Sequence, residues 1–341
     1  MSNAFRLMHL SGGLRCCLKP EIPRLDVWPF ASNAGVQIIL DDGVQSFLNI
    51  LQFQGLVLIG VEEGIVTPRR RMTALWQVYP HIVGDIEPDK MPAQFWFGIA
   101  TAARQDRHTS LREISSSIAF SLMAMERHLL VLSNGYNREL DAALERGGKT
   151  RKRFASLETY DLWLAIHGFL LAAGSARDYL AQALVNFVFH ADIGNIKLKE
   201  IDSMRELVKH GTKKGYLGKH AIGNTIANIT NRHDESAWLA DLSEYRNVIT
   251  HRAPITSLSD SDRLELRHTG TFGDHDVLQV TFALPDKPRL LEASTMVDAL
   301  NLMRYYSQKI SELAFEVGTL LPYRPDTINL TEKDLPHIEK L

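Results

Sequence analysis

Two long stretches of helical periodicity constrain this chain more than any other feature. Beginning at Thr109 or Ser110 as an N-cap, Leu111, Ile114, Ile118, Leu122, Met125, Leu129 and Leu132 recur every three or four residues. That spacing lines apolar side chains along one face of an α-helix, and the pattern continues past Asn134-Gly135 to about Leu144. A second stretch opens at Ser156 and carries Leu162, Ile166, Phe169, Leu170, Ala173, Tyr179, Leu180, Leu184 and Val188, with Glu158 and Asp161 near its positive N-terminal end. The turn between them, Gly147 to Arg153, holds the cations Lys149, Arg151, Lys152 and Arg153. Two amphipathic helices of this length can bury their stripes only against each other and against further helices, so a helical bundle is expected.

The rest of the chain supplies candidates for those further helices. Trp238, Leu242, Tyr245 and Ile249 mark a helix over about 235–252. Ser294 is placed to cap a last helix through Val297, Leu300, Met303, Tyr306, Ile310, Leu313 and Val317, which Pro322 ends. Between these two, Leu264 to His268 and Val277 to Leu284 alternate around a long Gly270–Asp274 loop, a hairpin signal over about 263–285. Gly211 to Gly218 reads as a loop. Residues 1–35, with Pro20, Pro23 and Pro29, read as an irregular or short-strand lead-in. Further on, Asp41 to Leu51 is expected to be helical, and so is Thr67 to Val83, with Thr67 as N-cap and Pro68 at the first helical position. Ala93 to Arg104 reads as a short buried helix. The expected fold is mainly α. Residues 1–105 form a mixed, mostly helical N-terminal region, 106–325 a helical bundle with a small β-hairpin insertion, and 326–341 a tail.

Composition excludes several function classes. A net charge of −2 gives no global basic field, so any RNA binding rests on local patches. Candidates are Arg69-Arg70-Arg71, the Lys149–Arg153 turn, and the segment carrying Lys197, Lys199, Arg205, Lys209, Lys213, Lys214 and Lys219. The last also holds Glu200, Asp202 and Glu206, so it reads first as a solvated helix face. Two adjacent cysteines, Cys16 and Cys17, are neither a disulfide framework nor a zinc set. None of the 13 histidines forms His-Glu-x-x-His, so neither a metal nor a cofactor is expected. No Gly-x-Ser-x-Gly elbow is present, and Gly211-Thr212-Lys213-Lys214-Gly215 lacks the spacing of a nucleotide-cradling loop. Arg6, His9 and Arg15 interrupt any leader-like apolar stretch, and the best apolar run, Gly55 to Val61, falls far short of the ~18 residues of a membrane span. A cytoplasmic protein with no membrane association is expected.

Chemistry concentrates in Glu244-Tyr245-Arg246-Asn247-Val248-Ile249-Thr250-His251, at the end of the third helix and just before Pro254. Arginine gives a permanent forked cation, histidine moves protons near neutrality, and asparagine orients either partner, a set suited to a phosphodiester. Asn247 and His251, four apart, share a helix face, whereas Arg246 lies about 140° from His251 and reaches round on a long stem. Arg-x4-His also occurs at Arg205/His210 and Arg263/His268, but the first lies in a lysine-rich segment and the second in strand-like alternation. A structural alternative for the motif is a helix-end cap in which the dipole favours a C-terminal histidine.

The Arg-Asn-x-x-x-His pattern on a late helix behind two long ones resembles the HEPN superfamily, over about residues 106–322. The resemblance implies a metal-independent endoribonuclease, of the kind found in toxin–antitoxin and phage-defence systems, that leaves 2′,3′-cyclic phosphate ends. It implies His251 for proton transfer, Arg246 for oxyanion stabilisation and Asn247 for orientation. It also implies that Asp178, beside Arg177 on the second long helix, faces the motif, although charged pairs on long helices are commonly just solvated. The implied partners are RNA, a second copy of the chain forming a homodimer, and a companion protein or antitoxin. The alternative within the same family is a non-catalytic module that binds a nucleotide or protein partner, or dimerises.

Overall fold

The computed structural model describes residues 3–19, 24–29, 36–39, 49, 51, 54–66, 71–78, 91–147, 150, 153–154, 156, 159–193, 201–231, 237–251, 264–272, 275–285 and 296–323. The fold is mainly helical with small antiparallel sheets. Its helices are α1 (Pro92–Gln105), α2 (Thr109–Glu145), α3 (Thr159–Ala183), α4 (His190–Ile193), α5 (Met204–Lys214), α6 (Ala221–Thr230), α7 (Trp238–His251) and α8 (Ala299–Thr319). Strands β1 (Asn3–Leu10), β2 (Arg15–Lys19), β3 (Arg24–Trp28), β4 (Val36–Ile39), β5 (Leu58–Val66) and β6 (Arg71–Val78) form one antiparallel sheet in the order β4-β3-β2-β1-β5-β6. Strands β7 (Arg153–Phe154), β8 (Leu264–Phe272), β9 (His275–Pro285) and β10 (Met296–Asp298) form a second, in the order β10-β9-β8-β7.

Both long helices form where the apolar stripes place them, and their starts have identifiable caps. At α2 the cap is His108, one residue before the expected Thr109 or Ser110: its Nδ1 accepts from the Leu111 amide at 3.3 Å. At α3, Ser156 Oγ accepts from the Thr159 amide at 3.1 Å, and Ser156 also bonds Glu139 of α2. A five-residue π-helical turn, Leu184–Val188, continues α3.

The chain groups into two compact units. The first comprises Met1–Asp85, Met123–Gly174 and Ile226–Ile310. There α2 and α3 approach closely because Gly135 leaves room for Leu162 and Gly168 for the His128 ring. Trp163 of α3 meets Phe282 of β9 edge to face, with ring centroids 4.7 Å apart. The N-terminal sheet is tied in through the turn Ser11–Gly13. Asn137 Nδ2 donates to the Gly13 carbonyl at 2.8 Å. Gly13 has φ 92°, and a Cβ there would lie 2.4 Å from the Tyr136 carbonyl oxygen. Asp298 takes the N-cap position of α8, accepting from the Asn301 amide at 3.2 Å and from the Tyr136 hydroxyl at 2.8 Å.

The second unit comprises Ile86–Leu122, Ser175–Thr225 and Ser311–Leu341. Trp96 of α1 donates its indole N–H to the Ala314 carbonyl of α8 at 3.1 Å, and Phe95 packs on Phe315. Asp192 of α4 accepts from His220 Nε2 at 2.7 Å and from Lys219 Nζ at 3.0 Å, which joins the short α4 to the start of α6.

Five expectations are corrected. The N-terminal region, expected to be mostly helical, contributes the six-stranded sheet, and the described part of the helix placed at Thr67–Val83, Arg71–Val78, is strand β6, paired to β5 from Val66↔Arg71 onward. Gly211 to Lys214 belongs to α5 rather than a loop, and the helix ends at Gly215, which is left-handed with φ 72°. The last helix starts at Ala299, later than expected, because Met296–Asp298 pairs with β9 first. The hairpin strands run further than the alternation suggested, to Phe272 and from His275. The helix expected over Asp41–Leu51, together with Ser294, the Arg69–Arg71 run apart from Arg71, Lys197, Lys199 and the 326–341 tail, lies largely or wholly outside the described residues.

Candidate functional site

Helix α7 carries the Arg-Asn-x-x-x-His motif, and its buried stripe decides how the motif is presented. Trp238, Leu239, Leu242 and Tyr245 are all buried. Tyr245 sets its ring against Tyr306 of α8 with centroids 6.1 Å apart and planes at 67°. Because the next residues follow around the 3.6-residue turn, Arg246 and Asn247 come to the rim of that buried face, and both are half-buried. The Arg246 stem lies on Gly174 of α3, where a Cβ would sit 2.4 Å from Arg246 Cδ. An arginine arm held along a helix backbone loses little further rotamer freedom on meeting a ligand, which is useful for a forked cation. The backbone of His251 is the last helical residue of α7. Its side chain, like those of Ile249 and Thr250 and like all of Arg252 to Arg263, lies outside the described part of the structure. By helical spacing alone, His251 falls on the Asn247 face.

Asp178 belongs to the second unit. Its carboxylate accepts from its neighbour Arg177, with Oδ1 2.8 Å from Nε and 2.7 Å from a terminal nitrogen, and Arg177 is buried. The pair neutralises a charge on a mostly buried stretch of α3.

Three arrangements escaped the sequence reading. In the first unit, His9 is fully buried between Ser133, 3.0 Å from Nδ1, and Glu62, 3.0 Å from Nε2, and its ring stands edge-on to Trp76. Serine, histidine and carboxylate are the parts of a hydrolytic triad, but all three are sealed from solvent here. The cluster pins β1 and β5 to α2 and is unsuited to substrate. Partners 53 and 124 residues apart in sequence leave no local signal for it.

Beside β8, Thr150, Glu265, Arg267 and His268 line an open pocket of about 520 Å³. A β-bulge between His268 and Gly270 turns His268 outward, where its Nε2 lies 3.0 Å from Asp276. Arg267 pairs with Glu265 at 3.1 Å, so charge in this pocket is already balanced.

On α2, burial pushes the Glu126 carboxyl up to about 8. Burial also lowers His128 and His167 from the usual histidine range. Among the described residues, no group of three or more His, Cys, Asp or Glu is placed to hold a metal, and no helix is long and apolar enough to cross a membrane.

No protein family matches this chain, and neither curated proteins nor solved structures include a significant match to it.

Proposed function

We propose that the chain is a metal-independent endoribonuclease of HEPN type, with Arg246, Asn247 and His251 of α7 as its reacting groups. The observation that carries this is the presentation of Arg246 and Asn247 at the rim of the buried Tyr245 stripe, with the arginine arm laid along Gly174. In the reaction, an RNA 2′-hydroxyl attacks the adjacent phosphorus. A bond forms between O2′ and phosphorus, and the bond from phosphorus to O5′ breaks. His251 takes the 2′-hydroxyl proton, Arg246 holds the charged phosphorane oxygens, and Asn247 orients the phosphate. The leaving O5′ needs a proton in turn, which the histidine of a second copy in a two-fold dimer would supply. The products are a 2′,3′-cyclic phosphate and a 5′-hydroxyl. Such an activity suits a toxin or phage-defence effector restrained by a companion protein.

A second reading is a non-catalytic binding or dimerisation module. It draws on the same contact, since an arginine stem packed over a helix glycine also serves to join α7 to α3. Incubation of the purified chain with RNA in EDTA separates the two. The ribonuclease assignment predicts cleavage that His251→Ala abolishes; intact RNA, or cleavage unchanged in His251→Ala, contradicts it.

A further inference from the structure

Helix α5 has two sharply different faces. Met204, Leu207 and Gly211 are buried. On the other side Arg205, Lys209 and Lys213 recur at i, i+4 and i+8, all exposed, with Lys214 beside them. Successive cations therefore rise along the helix by about 6 Å. The helix dipole accounts for Lys213 and Lys214 in the last turn, but it opposes Arg205 in the first turn, where acidic residues are favoured. Only Lys209 of the four meets a carboxylate among the described residues, Glu206 at 3.4 Å, a solvated pair three residues apart. Among the described residues Arg205 thus meets no counter-charge, and it stands in an unfavourable place at the head of a regular row.

The chemistry of the face selects its occupant. None of the exposed large hydrophobic side chains lies on α5, the turn after it or α6. A helix that rests in a membrane surface needs an apolar face to insert, and the centre of a protein–protein interface is depleted of lysine. A row of cations without apolar or aromatic neighbours matches a ligand that presents regularly spaced negative charge and nothing else, as a phosphate backbone does. Tyr216 is buried, and the half-buried His210 turns its ring to the Tyr216 hydroxyl, 3.1 Å from Nδ1, so neither offers a free stacking surface.

We infer that the exposed face of α5, through Arg205, Lys209 and Lys213, binds the phosphate backbone of single-stranded RNA without reading its bases. The choice of RNA over DNA rests on the ribonuclease proposed above; the site itself rests on α5 alone. The test measures binding of the full chain to a fluorescent 2′-O-methyl RNA, which cannot undergo 2′-hydroxyl attack, by anisotropy over a salt series. The variant Arg205→Gln/Lys209→Gln/Lys213→Gln keeps helix-forming residues at all three positions. It should bind about tenfold more weakly or worse, with a log–log salt slope shallower by about 2. Arg205→Lys/Lys209→Arg/Lys213→Arg should bind like wild type. The assignment is overturned if wild type does not bind, if the glutamine variant matches it in affinity and slope, or if only phosphatidylserine vesicles bind through these residues. Equal binding of the matching DNA strand would keep the backbone site and remove RNA selectivity from it. Binding through α5 with no cleavage of natural RNA would likewise keep the site while refuting the ribonuclease.

Discussion

Replacing Glu126 with glutamine should stabilise the protein in alkali and leave it nearly unchanged in mild acid. Glu126 lies on α2 with the buried Leu129 and Leu130 three and four residues on, and it makes no hydrogen bond or ion pair among the described residues. Desolvation without compensation moves its carboxyl from an ordinary 4.5 to about 8. A raised acid pKa means that the folded state keeps a proton the unfolded chain has released. Stability therefore falls as pH rises through the window from 4.5 to about 8, and the full penalty applies above it. The shift corresponds to an upper limit of about 5 kcal/mol. Partial exposure of the side chain screens it, so about 2 kcal/mol is expected. Glutamine keeps the shape and removes the ionisation. Wild type and Glu126→Gln should be compared by urea unfolding at a series of pH values from about 5 to about 9. Their difference in unfolding free energy should grow in favour of glutamine by about 2 kcal/mol across that range. Taking the difference isolates Glu126 from His128 and His167. Their lowered pKa values have the opposite sign, with stability lost as pH falls below the usual histidine range. A difference that stays constant with pH would show that Glu126 is not desolvated.

Gly13→Ala combines a φ of 92° with a backbone clash at Tyr136 and should cost about 3 kcal/mol in unfolding experiments; a loss under about 1 kcal/mol would mean that the turn does not dock on α2 as described. Gly174→Ala should leave the melting temperature almost unchanged, because alanine favours the helix by about 1 kcal/mol and only the flexible Arg246 stem must move. The same variant should lower RNA cleavage by about tenfold through misplacement of the guanidinium, and full activity would detach Arg246 placement from catalysis. Asp298→Ala removes the N-cap of α8 and the Tyr136 partner and should cost about 1–2 kcal/mol, read from denaturant midpoints; an unchanged midpoint would contradict that capping role.

How much of this was legible in the sequence depends on what each element packs against. Helices α2, α3, α7 and α8 bury one stripe and expose the other, so their 3.6-residue periodicity survives in the residue order. The hairpin β8–β9 was visible because Leu264, Leu266, Val280, Phe282 and Leu284 point inward between more exposed neighbours. Strand β5 gives no such alternation, because Leu58, Ile59, Val61 and even Glu62 are all buried, the last by its contact with His9. A strand covered on both sides reads as a short apolar run, which periodicity cannot assign. Thr67-Pro68 then suggested a helix over a span in which Arg71–Val78 form a strand. The motif on α7 was singled out from two other Arg-x4-His matches by its place at the end of an amphipathic helix behind two long ones, while its setting against Gly174 depends on tertiary packing that no local pattern encodes.

The most direct test of the catalytic role of Arg246 pairs RNA cleavage in EDTA with thermal melts for wild type, Arg246→Lys and Arg246→Ala. Lysine keeps the charge and the aliphatic stem but cannot offer a forked donor to a phosphate. The account predicts wild-type cleavage to 2′,3′-cyclic phosphate ends, a normal melt for Arg246→Lys, and loss of most of its cleavage. A collapsed melt for Arg246→Ala, with no wild-type cleavage to lose, would instead make Arg246 a structural residue whose removal strands a partner charge.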